Sequence, residues 1–328
     1  MKKFYLSLIA LAACICSLTA AEHRADYNVI PLPKEVTVDD AHVFTLQPGM
    51  GIAYDANNEE VCRNARFLRD WVEEMTGIEL LLTPGDSKAA VKLTLGISTK
   101  KGESTGELTP QQEEAYVIIV DKKGVTIQAH NPVGFFRAAQ TLRKSLPVVK
   151  DGTKTVDLPY AVVKDEPRFE YRGVLLDCGR HFFSKENQLQ SYINREIEEF
   201  IKGHGRDIIG WDEILEGGLS GSSIVMSWRG VKGGIAAASK IYSFEPLIPE
   251  ELTPEQQRLI LGPQINLWTE HVKYPAHAFY QLLPRLGASS EVQWCLPEQK
   301  DFEYFKERLP HLKEIYEVLG VPYCKLLE

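Results

Sequence analysis

The sequence predicts an α+β domain followed by a parallel α/β sheet of the (β/α) barrel type that stops short of eight strands. Three observations lead there. Residues 24–167 hold alternating strand patterns and a hairpin around two amphipathic helices. From Arg168 onward the pattern changes to short apolar runs, each ending in Trp or an acid, with helical segments between them. The count then fails to close: a (β/α)8 barrel takes eight strands and about 250 residues, whereas residues 168–328 number 161 and hold four such runs.

The elements follow in order. "MKK" is a positive start, "FYLSLIALAACICSL" an apolar core too short to span a bilayer comfortably, and "TAAEH" supplies small residues before a polar chain. This reads as a signal peptide over residues 1–21 and predicts export to the periplasm or medium. The alternative is a lipoprotein signal, "LAAC", with the chain anchored through Cys14. In "NEEVCRNARFLRDWVEEMTG", Val61, Ala65, Leu68, Val72 and Met75 recur at helical spacing, and Gly77 is a natural stop. "VKLTLGI" (91–97) alternates Val91, Leu93, Leu95 and Ile97 on one face. "AYVIIVDKKGVTIQAH" (115–130) is a hairpin turning at Lys122–Gly124, and a second helix follows Pro132 through "VGFFRAAQTLRKSL". Nothing in 24–167 forms a catalytic constellation, so this domain reads as support.

In the second part, "GVLLD" (173–177), "RDIIGWDE" (206–213), "SSIVMSW" (222–228) and "GPQINLW" (262–268) are the four short buried strands. "LQSYINREIEEFIKG" is a helix with Leu189, Ile193, Ile197 and Phe200 on one face, and two more helices are expected around 275–287 and 298–319. Side chains at the C-terminal ends of such strands are where a barrel presents its chemistry.

Composition narrows the function. Hydrophobic residues make up 44% and charged residues 25% of the 328, ordinary for a globular protein. A net charge of −8 argues against nucleic acid or an anionic membrane as partner. Outside the signal, Cys62, Cys178, Cys295 and Cys324 are far apart without CxxC spacing, and the eight histidines lack HExxH-type spacing. No metal or organic cofactor is implied.

"YRGVLLDCGRHFF", "IIGWDEILEGG", "VMSWRG" and "NLWTEHV", in that order and after an α+β domain, resemble the β-N-acetylhexosaminidases of glycoside hydrolase family 20. "LLPRLGASSEVQW" is similar to the family's terminal barrel helix. The resemblance implies a support domain at 24–167 and a catalytic (β/α) barrel domain at 168–328. It implies cleavage of terminal N-acetylglucosamine or N-acetylgalactosamine with retention, the substrate's own acetamido oxygen attacking the anomeric carbon. It also locates a gap. The family's Asp–Glu pair lies in an "HxGGDE" motif ending the fourth strand, and this sequence contains no "GGDE". After Ser184–Glu186 it passes directly to the helix that follows that strand, and a second seam lies near Ser239–Ile241, where the seventh strand would stand. The surviving strands are then equivalent to 1, 5, 6 and 8.

By the same resemblance, Arg172 would bind sugar hydroxyls, unless it forms a structural ion pair. Trp211, Trp228 and Trp268 would form the aromatic pocket around the acetamido group, and Glu270 would accept hydroxyls on the far side of the sugar. Asp177 and Arg180 read as a structural pair beneath the site. Asp212–Glu213, in "GWDE", is by motif context the fifth-strand pair beside the pocket tryptophan and not the family's acid on strand four, with Glu213 as the remote substitute for the missing general acid. Three outcomes remain open: a family-20 glycosidase inactive as written, a non-catalytic binder of N-acetylhexosamine-terminated glycans, or a truncated product that folds poorly. If the barrel is incomplete, its apolar strand residues, Leu175, Ile208, Val225 and Ile265, and the three tryptophans should be partly uncovered.

Overall fold

The computed structural model describes residues 23–97, 108–176, 209–211, 224–226, 242, 252–257, 260–269, 272 and 274–325. Their architecture begins with a seven-stranded mixed sheet. Its strands are β1 (Glu35–Leu46), β2 (Gly51–Ala53), β3 (Leu81–Leu82), β4 (Val91–Leu95), β5 (Tyr116–Asp121), β6 (Gly124–Ala129) and β7 (Val156–Asp165), in spatial order β1-β7-β5-β6-β4-β2-β3. The β1, β7, β5, β6 half is antiparallel; the β6, β4, β2, β3 half is parallel.

Two helices, α1 (Glu59–Thr76) and α3 (Pro132–Ser145), pack against each other and the sheet. They are separated in sequence by the single-turn α2 (Pro110–Glu113). Helix α1 forms where its apolar period indicated. Asn58 caps its start by accepting from the Val61 amide, and Gly77 ends it at φ 68°, a conformation that Gly adopts without a Cβ penalty. Val61, Ala65, Leu68, Val72 and Met75 are all buried; each fully covered large aliphatic side chain contributes about 1.5–3 kcal/mol. The hairpin forms with its turn at Lys122–Lys123, and Ile118 and Ile127 meet across it without solvent exposure. The alternation in β4 holds only through Leu93: Leu95, where the strand ends, is 44% exposed.

The second part contains β8 (Gly173–Leu176), β9 (Ile209–Trp211), β10 (Ile224–Met226) and β11 (Gln264–Leu267). Among the described residues these form two separate parallel pairs, β8 with β11 and β9 with β10. In a closed barrel, strands one and eight are neighbours, as are five and six. The described residues therefore retain those adjacencies, with no strand between the pairs among them.

The helices of this part are α4 (Pro254–Gln257), α5 (Pro275–Leu282), α6 (Arg285–Trp294) and α7 (Phe302–Val318). The single helix expected around 275–287 is two. Pro284 forces its predecessor out of the helical region, and Leu283 sits at φ −102°, ψ 137°. The predicted helix at 189–203 lies outside the described residues. So do the side chains of Ile208 and Val225, while Leu175 and Ile265 are half-buried.

The C-terminal helices are anchored on the N-terminal part. Arg308 in α7 forms a bidentate pair with Glu291 in α6 and donates to the Val29 carbonyl at 2.8 Å. The Cys295 thiol approaches the Leu32 carbonyl at 3.1 Å, and the His311 Nε2 of α7 lies 2.7 Å from the Lys144 carbonyl of α3. Ile315 belongs to the same apolar core as the seven-stranded sheet.

Candidate functional site

A parallel barrel gathers its functional groups at the C-terminal ends of its strands. Trp268 directly follows β11, and Trp211 ends β9 opposite Met226 of β10. Trp228 lies two positions beyond Met226, outside the described residues, as do Glu270, Glu213, Asp177 and Arg180. Trp268 is 42% exposed. Thr269 beside it is buried.

Arg172 stands at the opposite end. It precedes Gly173, which pairs with Gln264, whereas Trp268 follows Leu267, which pairs with Leu176. With a rise of about 3.3 Å per residue, the two positions are separated by roughly the whole length of the strand pair, on the order of 15 Å. The register therefore keeps Arg172 away from Trp268. Its guanidinium instead donates to both oxygens of Glu114, at 2.7 and 2.8 Å, and to the carbonyls of Phe169 and Glu170. It lies over the Trp294 ring, 5.0 Å from the centroid.

Sequence spacing did not single out Glu114, Asp165 or Trp294, because their partners come from distant positions. Glu114 follows α2 and also receives Arg137 of α3 at 2.7 Å. Trp294, the last residue of α6, donates its indole N–H to Asp165 at 3.0 Å. Asp165 ends β7 and accepts further hydrogen bonds from the Tyr116 hydroxyl at 2.6 Å and from the amides of Lys34 and Glu166. Burial pushes the Asp165 carboxyl up to about 6 against these donors. A cleft of about 250 Å³ opens beside it, lined by Lys34, Gln111, Glu166, Arg168 and Trp294. Two of its charged groups, Lys34 and Glu166, form an ion pair. Among the described residues no group of three or more His, Cys, Asp or Glu side chains could hold a metal.

The profile described as glycosyl hydrolase family 20, domain 2, matches residues 26–166. The one described as glycosyl hydrolase family 20, catalytic domain, matches residues 183–240 and 231–297. The chain belongs to glycosyl hydrolase family 20. Family-20 relatives include the beta-hexosaminidase of Porphyromonas gingivalis, 23% identical in an alignment covering 97% of this chain and 67% of that protein. The beta-N-acetylhexosaminidase of Cellulomonas fimi is 31% identical, over 49% of this chain and 30% of its own length. The chain thus spans about two thirds of the first relative and under a third of the second. Among solved structures, the family-20 beta-N-acetylhexosaminidase of Streptomyces coelicolor is similar with a TM-score of 0.73 at 15% identity. That alignment covers 93% of this chain and 99% of that one. The fold is therefore the family-20 fold, an N-terminal α+β domain with a partial barrel.

Proposed function

We propose that this chain is a β-N-acetylhexosaminidase by descent whose barrel lacks the strand bearing the Asp–Glu pair, and that it does not turn over glycosides as written. The observation that carries this reading is the pairing of β8 with β11 and β9 with β10 as separate sheets, together with the absence of a "GGDE" from the sequence. Two features of the comparisons support it. The alignment with the Porphyromonas protein runs over 531 positions although the chain has 328 residues, so stretches of that relative have no counterpart here. The catalytic-domain match begins at residue 183, after the first barrel strand, and divides in two at 231–240. The start lies beside the seam at 184–186, and the shared stretch ends at the seam at 239–241.

The domains would then be a support domain at 24–167 and an incomplete barrel at 168–328. The ligand class is N-acetylglucosamine- or N-acetylgalactosamine-terminated glycan; a Streptomyces plicatus neighbour was solved with the product GlcNAc. Trp211, Trp228, Trp268 and Glu270 are the residues placed by motif to face such a sugar. Arg172 is better explained as an ion pair with Glu114. Export rests on the amino-terminal pattern of residues 1–21, with lipidation of Cys14 as its alternative; no helix among the described residues is long and apolar enough to cross a membrane.

The test is hydrolysis of an aryl N-acetyl-β-glucosaminide by the purified chain. General acid–base assistance is worth about 10²–10⁴-fold, yet an aryl leaving group needs little protonation, so this substrate probes the remaining site severely. The expected outcome is no enzyme-dependent release. Turnover at about 1–10³ per second would defeat the proposal, and its loss in Glu213→Gln would assign the acid to Glu213.

A further inference from the structure

We propose that the N-terminal domain carries a docking surface for the closing seam of the barrel, and that Arg172 and Trp294 are the two seam residues it grips. The partner is this chain's own first barrel strand together with the helix that ends its barrel. Such a grip operates whether or not the protein binds or cleaves a sugar.

The surface is built around two carboxylates. Glu114 is held by Arg137 of its own domain and binds Arg172, which precedes β8, through both oxygens. Asp165 receives the indole N–H of Trp294. The two grips are physically joined, because Arg172 and Arg137 both lie over the Trp294 ring, at 5.0 and 5.8 Å. The backbone completes the contact, with the Arg168 amide donating to the Trp294 carbonyl at 2.9 Å. The cations Arg137 and Arg172 balance the anions Glu114 and Asp165.

Three segments far apart in sequence are therefore brought to one point: the support domain, residues 168–172, and Trp294. In a closed barrel the first strand and the last strand–helix unit are adjacent only once the barrel has closed. A surface that contacts both at once recognises that closed state. Here β8 and β11 are paired next to it. The clamp thus accounts for why this pair stays assembled. The side chains are largely shielded, 13% exposed for Arg172 and 16% for Glu114, so each partner left alone would be a poorly solvated charge.

The experiment is amide hydrogen exchange on the full chain and on Glu114→Gln, Arg172→Met and the double variant. Each single variant should speed exchange at residues 168–172 by about tenfold or more, with amides of α1 unchanged. The double variant should be no faster than the worse single one, since both remove the same contact. Unchanged exchange at 168–172 in Glu114→Gln, or effects that multiply in the double variant, would overturn the proposal. Glu114→Gln also serves if Arg172→Met does not fold. A calorimetric titration with N-acetylglucosamine separates the rival role: binding lost in Arg172→Met while 168–172 exchanges as in the parent chain would make Arg172 a sugar ligand and end the proposal.

Discussion

Asp165 shows how one residue couples burial to pH. Its carboxylate is buried, accepts from Tyr116, Trp294 and two amides, and still has its pKa raised to about 6, because loss of water outweighs the donors. A carboxyl whose folded pKa exceeds its unfolded value contributes stability below that unfolded value, and loses it as pH rises through the folded one. Lowering pH from 7 to 5 should therefore stabilise the protein through Asp165, by about 1 kcal/mol or somewhat more. Burial also raises Glu291, which acts in the same direction, whereas Lys144, lowered to about 8, titrates above this window. Thermal melts at pH 5, 6 and 7 check this. The expected result is a melting temperature that rises toward pH 5 in the parent and rises less in Asp165→Asn. An equal slope in the variant would remove Asp165 as the cause. At this scale the sequence was least informative about pairings. Arg172 was a recognisable arginine in a recognisable motif, but its partner Glu114 lies 58 positions away and no spacing connects them.

Elements were legible where local chemistry and burial agree. Helix α1 has both an apolar period and caps at its two ends, and the β5–β6 hairpin has a turn between two β-rich runs. Strands β1 and β7 were not legible. β7 contains Pro159, which ordinarily argues against a central strand. The structure accommodates it at a register shift, where Pro159 faces Val43 and the next pair is Tyr160 with Asp39. The loop before β11 shows a similar dependence on one residue. Gly262 has φ +152°, and a Cβ there would lie 1.9 Å from the Tyr171 carbonyl oxygen. Gly262→Ala should lower the urea midpoint by the equivalent of about 1–3 kcal/mol and weaken the hydrogen bond that the Tyr171 N–H donates to the Leu261 carbonyl. Gly320→Ala is the control, since Gly320 also has positive φ but nothing within 4 Å of the added atom. Equal costs for the two substitutions would show that backbone conformation, not the close approach of two chains, sets the requirement at 262.

At the scale of the molecule, the partial barrel could be counted from the sequence because each parallel strand is a short apolar run with a marked end. The pairing of β8 with β11 and of β9 with β10 follows from the neighbours of the closed barrel that the motifs imply, not from any local pattern. Two open parallel pairs leave strand edges without partners among the described residues, and Val174 at 47%, Trp268 at 42%, Tyr274 at 59% and Phe279 at 43% leave apolar surface exposed. Both features favour association. The purified chain should bind a hydrophobic dye and sediment as a concentration-dependent mixture above the monomer. A monodisperse monomer with negligible dye binding would show that the apolar surface is covered. The contact between Arg308 and the Val29 carbonyl has a further consequence, for the order of events during synthesis. These residues are 279 positions apart, so at about 5–20 residues per second the ribosome needs on the order of 15–60 s to make the second after the first. The seven-stranded sheet has all its strands by residue 165, whereas Val29 and Ile30, buried in the finished protein, must wait for α7. For that interval the nascent chain presents an apolar segment next to a finished sheet, a window in which a chaperone can hold it.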